Sequence, residues 1–148
     1  MTVTVRPFTA ADEAAFRERW DKYNVFYKRT IPEDVTAFTI KRMLDPAVPL
    51  YGAVAVDDQQ GMVGFVTYLP HIYTGSVEDI VYLHDLYVDD EVRNGGIGRK
   101  LIEHVYEDAR ELGCESVYWH TQHFNHRAQL LYTKVADKTD FVQYKHVL

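Results

Sequence analysis

Three glycines, Gly95, Gly96 and Gly98, fall within four positions of the 148-residue chain. They sit in HDLYVDDEVRNGGIGRKLIEHV, between a strand-like run and a long amphipathic run. Glycine weakens both strands and helices, so this joint must need bare backbone. The chemistry that suits it is anion binding. The first amides of a helix have no partners within it and carry the positive end of its dipole, and absent side chains let phosphate oxygens approach them. A tight turn alone needs one or two glycines. Here there are three, with Arg93 just ahead of them. The dinucleotide pattern G-x-G-x-x-G is absent, and the P-loop pattern fails because Leu101 follows Lys100 where Ser or Thr is required.

Two other clusters invite chemistry and carry less. His120, His123 and His126 are spaced by three in HTQHFNH. That segment spans a strand end, a loop and a helix cap, and it lacks the H-E-x-x-H pattern, so no metal site is expected. The single cysteine, Cys114, follows Gly113 before a strand-like run and reads as a packing residue. A lone cysteine fits a reducing compartment, and a cytoplasmic protein without a signal peptide is expected.

The elements that must position the glycine joint follow from periodicity. TVTVR alternates as a first strand. Thr9 precedes a helical run with Phe16, Trp20, Tyr23 and Tyr27 on one face. Thr30 and Glu33 have capping-box spacing for a second helix, which Asp45-Pro46 ends. LYGAVAV and MVGFVTYL flank DDQQG as a hairpin, PHIYTGS reads as a loop, and DIVYLHDLYV is a strand. Ile97, Leu101, Val105, Ala109 and Leu112 mark a helix stopped by Gly113. SVYWHT reads as a strand, and Asn125 opens a helix carrying Ala128, Leu131, Tyr132, Val135 and Ala136. DFVQYKHV closes the pattern as a strand. The order β-α-α-β-β-β-α-β-α-β predicts one mixed α/β domain over residues 1–148.

Composition is that of an ordinary folded domain, 47% hydrophobic and 26% charged. A net charge of −6 argues against nucleic acid, whose binding needs clustered Lys and Arg. It suits a cationic ligand such as an amine. No apolar run of 18 residues occurs, so no membrane span is expected.

Arg93, Gly96 and Gly98 form R-x-x-G-x-G directly after DLYV. This combination resembles the pyrophosphate-binding motif of the GNAT superfamily of acetyl-CoA-dependent N-acetyltransferases, and the resemblance runs from about Asp79 to Tyr132. It implies a mostly antiparallel central sheet flanked by helices. It also implies that backbone amides of Arg93, Asn94, Gly95, Gly96, Ile97, Gly98 and Arg99 cradle the pyrophosphate of coenzyme A. Backbone groups of Leu86, Tyr87 and Val88 would pair with the pantetheine arm like an added strand, which a splayed edge beside the loop permits. Asn125, Ala128 and Tyr132 match a second GNAT pattern, with Tyr132 two turns beyond Asn125 on one helix face. For the family, that Tyr lies near the thioester sulfur and protonates the departing thiolate, while the Asn bonds the pantetheine or steadies the loop. Helix capping by Asn125 and core packing by Tyr132 are the plainer alternatives. NHRAQLLYTKVADKT is also similar to the C-terminal part of small histone-type and polyamine-type acetyltransferases.

An alkylammonium ion is only about one part in a thousand neutral at pH 7, so amine acetylation gains from a base. Polyamine acetyltransferases of the spermidine/spermine kind have a glutamate at the position of His84. Here His84 or its neighbour Asp85 is the candidate, or a water. Adjacent strand residues point to opposite faces, so both reach the substrate only across a bulge. Backbone donors near Leu86 would stabilise the oxyanion. The acceptor, a small amine or polyamine first and an amino acid or protein lysine next, would meet Tyr23, Tyr27, Glu33 and Tyr73, whose aromatic faces and carboxylate suit a cation. The family often has Gly-Phe and two strands after the last helix. This chain has no glycine before Phe141 and room for about one strand. A homodimer packed along that C-terminal strand, with exchange possible, is therefore expected, because exposed edges are usually covered. The rival reading is a CoA-binding regulatory domain without turnover.

Overall fold

The computed structural model describes residues 2–93 and 95–148. In chain order the elements are β1 (Val3–Pro7), α1 (Glu13–Phe26), α2 (Glu33–Leu44), β2 (Tyr51–Asp57), β3 (Gly61–His71), β4 (Ile80–Val88), α3 (Ile97–Glu111), β5 (Val117–Tyr118) and α4 (His126–Val135). Short 3-10 turns, Ala10–Asp12 and Asp90–Val92, lead toward α1 and α3. The strands form one sheet in the order β1-β2-β3-β4-β5. Every pair is antiparallel except β4 with β5. The expected mixed, mostly antiparallel α/β sheet is what the chain builds.

β3 is the centre of the sheet, and its run MVGFVTYL is buried on both faces. On one face Phe65 meets Phe16, Trp20 and Tyr23 of α1, with Ile40 of α2 beside them. On the other, Val63 and Val66 meet Leu101, Ile102 and Val105 of α3. The helical spacing read from Ile97 to Ala109 is this buried stripe.

Helix ends follow local chemistry. The Thr9 N–H and hydroxyl donate to Asp12 Oδ2 at 2.8 and 3.1 Å, closing the 3-10 turn before α1. At the end of α3, Gly113 takes φ +75°, and the N–H groups of Gly113 and Cys114 donate to the carbonyls of Arg110 and Ala109. That is a Schellman turn, which needs the left-handed backbone glycine supplies. The end of α1 has the same pattern without glycine. Lys28 N–H donates to Val25 O and Arg29 N–H to Asn24 O, with Lys28 at φ +54°.

Four expectations change. Pro32, not Thr30, occupies the N-cap of α2, and no side chain caps it. β3 continues through Pro70 and His71, residues read as loop, because they pair with Val81 and Ile80. SVYWHT yields only two strand residues. DFVQYKHV forms no strand: residues 137–148 carry no regular structure, and Phe141, Val142, Tyr144 and Val147 are exposed. Alternating residues become a strand only when another strand pairs with them, and among the described residues none pairs with this segment.

Gly64 pairs with Val88 at one end of the β3–β4 ladder, and a Cβ there would lie 2.7 Å from the Tyr87 carbonyl oxygen. Gly64→Ala is expected to lower stability by about 1–3 kcal/mol through strand displacement, read as a lower urea midpoint with unchanged slope.

Candidate active site

The β3–β4 register breaks at one place. Thr67 pairs with Asp85 and Tyr68 with Leu83, leaving His84 as an extra residue on β4. The bulge turns His84 and Asp85 toward each other instead of to opposite faces. His84 Nδ1 lies 3.0 Å from Asp85 Oδ2, and Thr67 Oγ1 donates to that same oxygen at 2.6 Å. The condition under which both residues could serve one site is met.

Asp85 is only 5% exposed. Burial alone would raise its pKa, but the His84 hydrogen bond and charge, together with Thr67 and Tyr23, hold the carboxyl below its usual range. The same hydrogen bond raises His84 above the ordinary histidine value, outweighing desolvation and the nearby Arg29 charge. Nδ1–H donation to Asp85 leaves Nε2 as the ring nitrogen with a lone pair. A half-exposed imidazole backed by a buried carboxylate can accept a proton.

Tyr23 and Tyr27, at the end of α1, reach this pair. Both phenols are raised first by burial and then by Asp85. Arg29, absent from the sequence candidates, lies across Trp20, Tyr23 and Tyr27 at 5.5–5.9 Å from the ring centroids, and its Nη2 is 3.7 Å from Asp85 Oδ1. The faces expected to hold a cationic ligand are occupied by the chain's own guanidinium. Glu33 does not join them; it pairs with Arg17 at 2.8 Å and its side chain is 77% exposed. Tyr73 is exposed, its ring beside Gly75 of its own loop. Both therefore fall outside the acceptor cluster drawn from the sequence.

Tyr132 approaches from α4. Its ring packs edge-on against Trp119 at 5.4 Å, and burial, with Tyr27 nearby, pushes its pKa up to about 12. Its phenol keeps its proton at neutral pH and can donate it. Asn125 is the α4 N-cap, with Oδ1 accepting from Ala128 N–H at 3.2 Å.

Between β4 and β5 the sheet splays open. Pairing covers only Val81 with Val117 and Tyr82 with Tyr118, so the β5-facing backbone of Leu86, Tyr87 and Val88 has no partner from β5. The glycine joint lies at the end of this gap, and its residues divide the work. Gly96 has φ +76°, the left-handed turn into α3, and a Cβ there would meet open space. The first turn of α3 holds no acidic residue and no side-chain cap, and its first intrahelical bond runs from Lys100 N–H to Gly96 O. The amides of Gly96, Ile97, Gly98 and Arg99 thus precede the helix's own pairing. A Cβ at Gly98 would lie 3.1 Å from Leu131 Cδ2, so this glycine lets α4 approach α3. The Ile97 side chain belongs to the core. Arg93 pairs with Asp90 and Arg99 with Glu103, both near the surface, and Gly95 is exposed. Asn94 lies outside the described residues.

His120 meets Tyr82 and Tyr118 rather than His123 and His126. Among the described residues no group of three His, Cys, Asp or Glu side chains is placed to hold a metal ion. Burial raises the Cys114 thiol, away from nucleophilic use. Among those residues no helix is long and apolar enough to cross a membrane.

The Acetyltransferase (GNAT) family model matches residues 10–136. The chain belongs to the GNAT acetyltransferase family. It is 49% identical over 144 residues to a D-amino-acid N-acetyltransferase of Saccharomyces cerevisiae, covering 97% of this chain and 89% of the relative. A thialysine N-epsilon-acetyltransferase of Bos taurus is 42% identical over 52 residues, 35% of this chain and 31% of that protein. An aminoglycoside N-acetyltransferase solved in complex with CoA superposes with a TM-score of 0.85 over 99% of this chain and 95% of its own, at 19% identity, a likeness of fold. The resemblance to GNAT enzymes is borne out for the family, and the chain is an N-acetyltransferase of a family that uses acetyl-CoA.

The His84–Asp85 contact is testable without turnover. In an NMR titration the His84 ring is expected to titrate above about 6.5, and Asp85→Asn to bring it back down. No difference between the two proteins would remove the carboxylate from the pair.

Proposed function

We propose that this GNAT enzyme acetylates the amino group of a small acceptor, with amino acids foremost, by direct attack on acetyl-CoA. The single observation that carries the reading is the bulge that joins His84 to Asp85 within electrostatic reach of Tyr27, which in turn neighbours Tyr132. Amino acids are favoured by the 49% identity to a D-amino-acid N-acetyltransferase over nearly the whole chain.

Acetyl-CoA supplies the acetyl thioester. The β5-facing backbone of Leu86, Tyr87 and Val88 suits the pantetheine arm, and the amides of Gly96, Ile97, Gly98 and Arg99 suit the pyrophosphate, whereas those of Arg93 and Gly95 already donate to the Asp90 and Val92 carbonyls. The open space at Gly96 and the acid-free first turn of α3 fit an anionic group there. His84 Nε2 accepts a proton from the amine as its nitrogen bonds to the acetyl carbon. Asp85 holds the ring in that tautomer and balances the imidazolium. Backbone donors near Leu86 stabilise the developing oxyanion. Tyr132 gives its proton to the sulfur as the carbon–sulfur bond breaks, and solvent resets both groups. Tyr23 and Tyr27 wall the acceptor side.

The base works when neutral. The rate at subsaturating acceptor should therefore rise with pH through the elevated His84 value. Thiol release from acetyl-CoA with a panel of amines and amino acids tests the whole scheme. Tyr132→Phe and His84→Ala are each expected to lower kcat about 10²–10⁴-fold. Tight acetyl-CoA binding with no release for any acceptor would favour a regulatory CoA-binding domain instead.

A second copy of the chain is the proposed partner for residues 137–148. Phe141, Val142, Tyr144 and Val147 are exposed, and strand-patterned residues of this kind acquire hydrogen-bond partners by joining another sheet edge. Light scattering should give a dimer, and truncation after residue 136 should give a monomer. A full-length monomer at micromolar concentration would reject the pairing.

A further inference from the structure

We propose that Arg29 binds the carboxylate of the acceptor and so selects amino acids over plain amines, an inference that rests on the amine-acetylation reading above. Arg29 is held in a built setting. The Schellman turn at the end of α1 places it directly after Lys28, whose φ of +54° is disfavoured for a residue with a side chain and must be imposed by its surroundings. Its Nε donates to Asn24 Oδ1 at 2.6 Å. Asn24 is itself buried and fixed by donating to the Trp20 carbonyl at 2.9 Å. Three aromatic faces support the guanidinium plane.

What remains unspent is the outer fork. Nη2 stands 3.7 Å from Asp85 Oδ1, inside ion-pair range but beyond a hydrogen bond, and that oxygen has no hydrogen-bond partner among the described residues. A counter-ion whose only task was to neutralise Asp85 would close that gap. Asp85 instead takes its hydrogen bonds from Thr67 and His84. The Arg29 side chain is 40% exposed, so a solute can reach it from solvent. The outer edge of a planar guanidinium, its two Nη groups, matches a carboxylate.

The placement fixes the acceptor's size and charge. His84 and Arg29 flank the two oxygens of one carboxylate, Oδ2 and Oδ1 respectively. An α-amino acid carries its amine and carboxylate on one carbon, short enough to meet both groups at once. A polyamine brings only positive charge toward a fixed guanidinium and is repelled. Beside His84 the rings of Tyr82 and Tyr118 stand 4.9 Å apart, an aromatic wall for an apolar side chain.

The test compares both enantiomers of phenylalanine, phenylalaninamide and 2-phenylethylamine as acceptors, using the wild type, Arg29→Met and Arg29→Lys. The wild type should prefer the better free acid over its amide by about 10- to 100-fold in kcat/KM, the range of charge-assisted hydrogen bonds. Arg29→Met, which keeps a stem on the rings, should erase that preference mainly through KM, and Arg29→Lys should restore part of it. Equal use of acid and amide by the wild type overturns the proposal even if a variant misfolds. So does an equal loss for acid and amide in Arg29→Met, which would make Arg29 a support for Asp85 only. Acetylation of no acceptor at all, with acetyl-CoA bound, sinks the transferase reading and this one with it.

Discussion

Asp85 is a carboxylate almost wholly withdrawn from water, and a charge in that position survives only with partners on every accessible side. Thr67 and His84 bond its Oδ2, Tyr23 helps hold the carboxyl ionised, and the Arg29 charge stands 3.7 Å from Oδ1. Each comes from a different part of the fold: the central strand, the bulge, the last turn of α1 and the turn after it. The ion-pair geometry therefore ties the register of β3 and β4 to the placement of α1. Had the strands paired without the extra residue, His84 would point to the opposite face, and Asp85 would be buried beside Arg29 with one hydrogen bond fewer. The same irregularity that interrupts the ladder gives the histidine its altered basicity.

The glycine joint shows how one motif can hold residues with separate reasons. Gly96 is required by its backbone angle, whereas Gly98 is required by the approach of Leu131. The opening expectation, that all three glycines clear space for a ligand, treats them as one device. Sequence shows that bare backbone is needed but not what comes near it. At Gly98 the nearest neighbour arrives from a helix more than thirty residues later in the chain.

Most of the sheet was legible because alternation and helical spacing are local signals. The order of elements from β1 to α4 and the helix stop at Gly113 followed from the residues, whereas the approach of Tyr23 and Tyr27 to Asp85 depends on how α1 packs on the sheet. The bulge was legible only as a condition, since a single unpaired residue leaves the alternation of DIVYLHDLYV almost intact. Thr67 is the one aliphatic hydroxyl within an apolar strand, a signal for a buried polar contact. Arg29 was hidden for a physical reason. A basic residue after a helix reads as solvated charge, and only the turned-back backbone reveals that it lies over aromatic rings. Glu33 was misassigned in the opposite sense, because a carboxylate near two tyrosines in sequence found Arg17 in space. DFVQYKHV had strand chemistry without an edge to use it.

The helix that carries Tyr132 has no fully buried residue of its own. It is held by Leu131, Tyr132 and Val135 against the core, and by the Tyr106 hydroxyl donating to the Val135 carbonyl. β4 instead pairs with β3 along nearly its whole length, with Ile80, Val81, Leu83 and Asp85 buried. Free energies of local opening differ across a fold in just this way, from shallow at lightly packed helices to near-global in central strands. The phenol proposed as proton donor thus rides on an element that can unlatch while the imidazole and carboxylate stay fixed, so the two halves of the proposed pocket have separate thermal lifetimes.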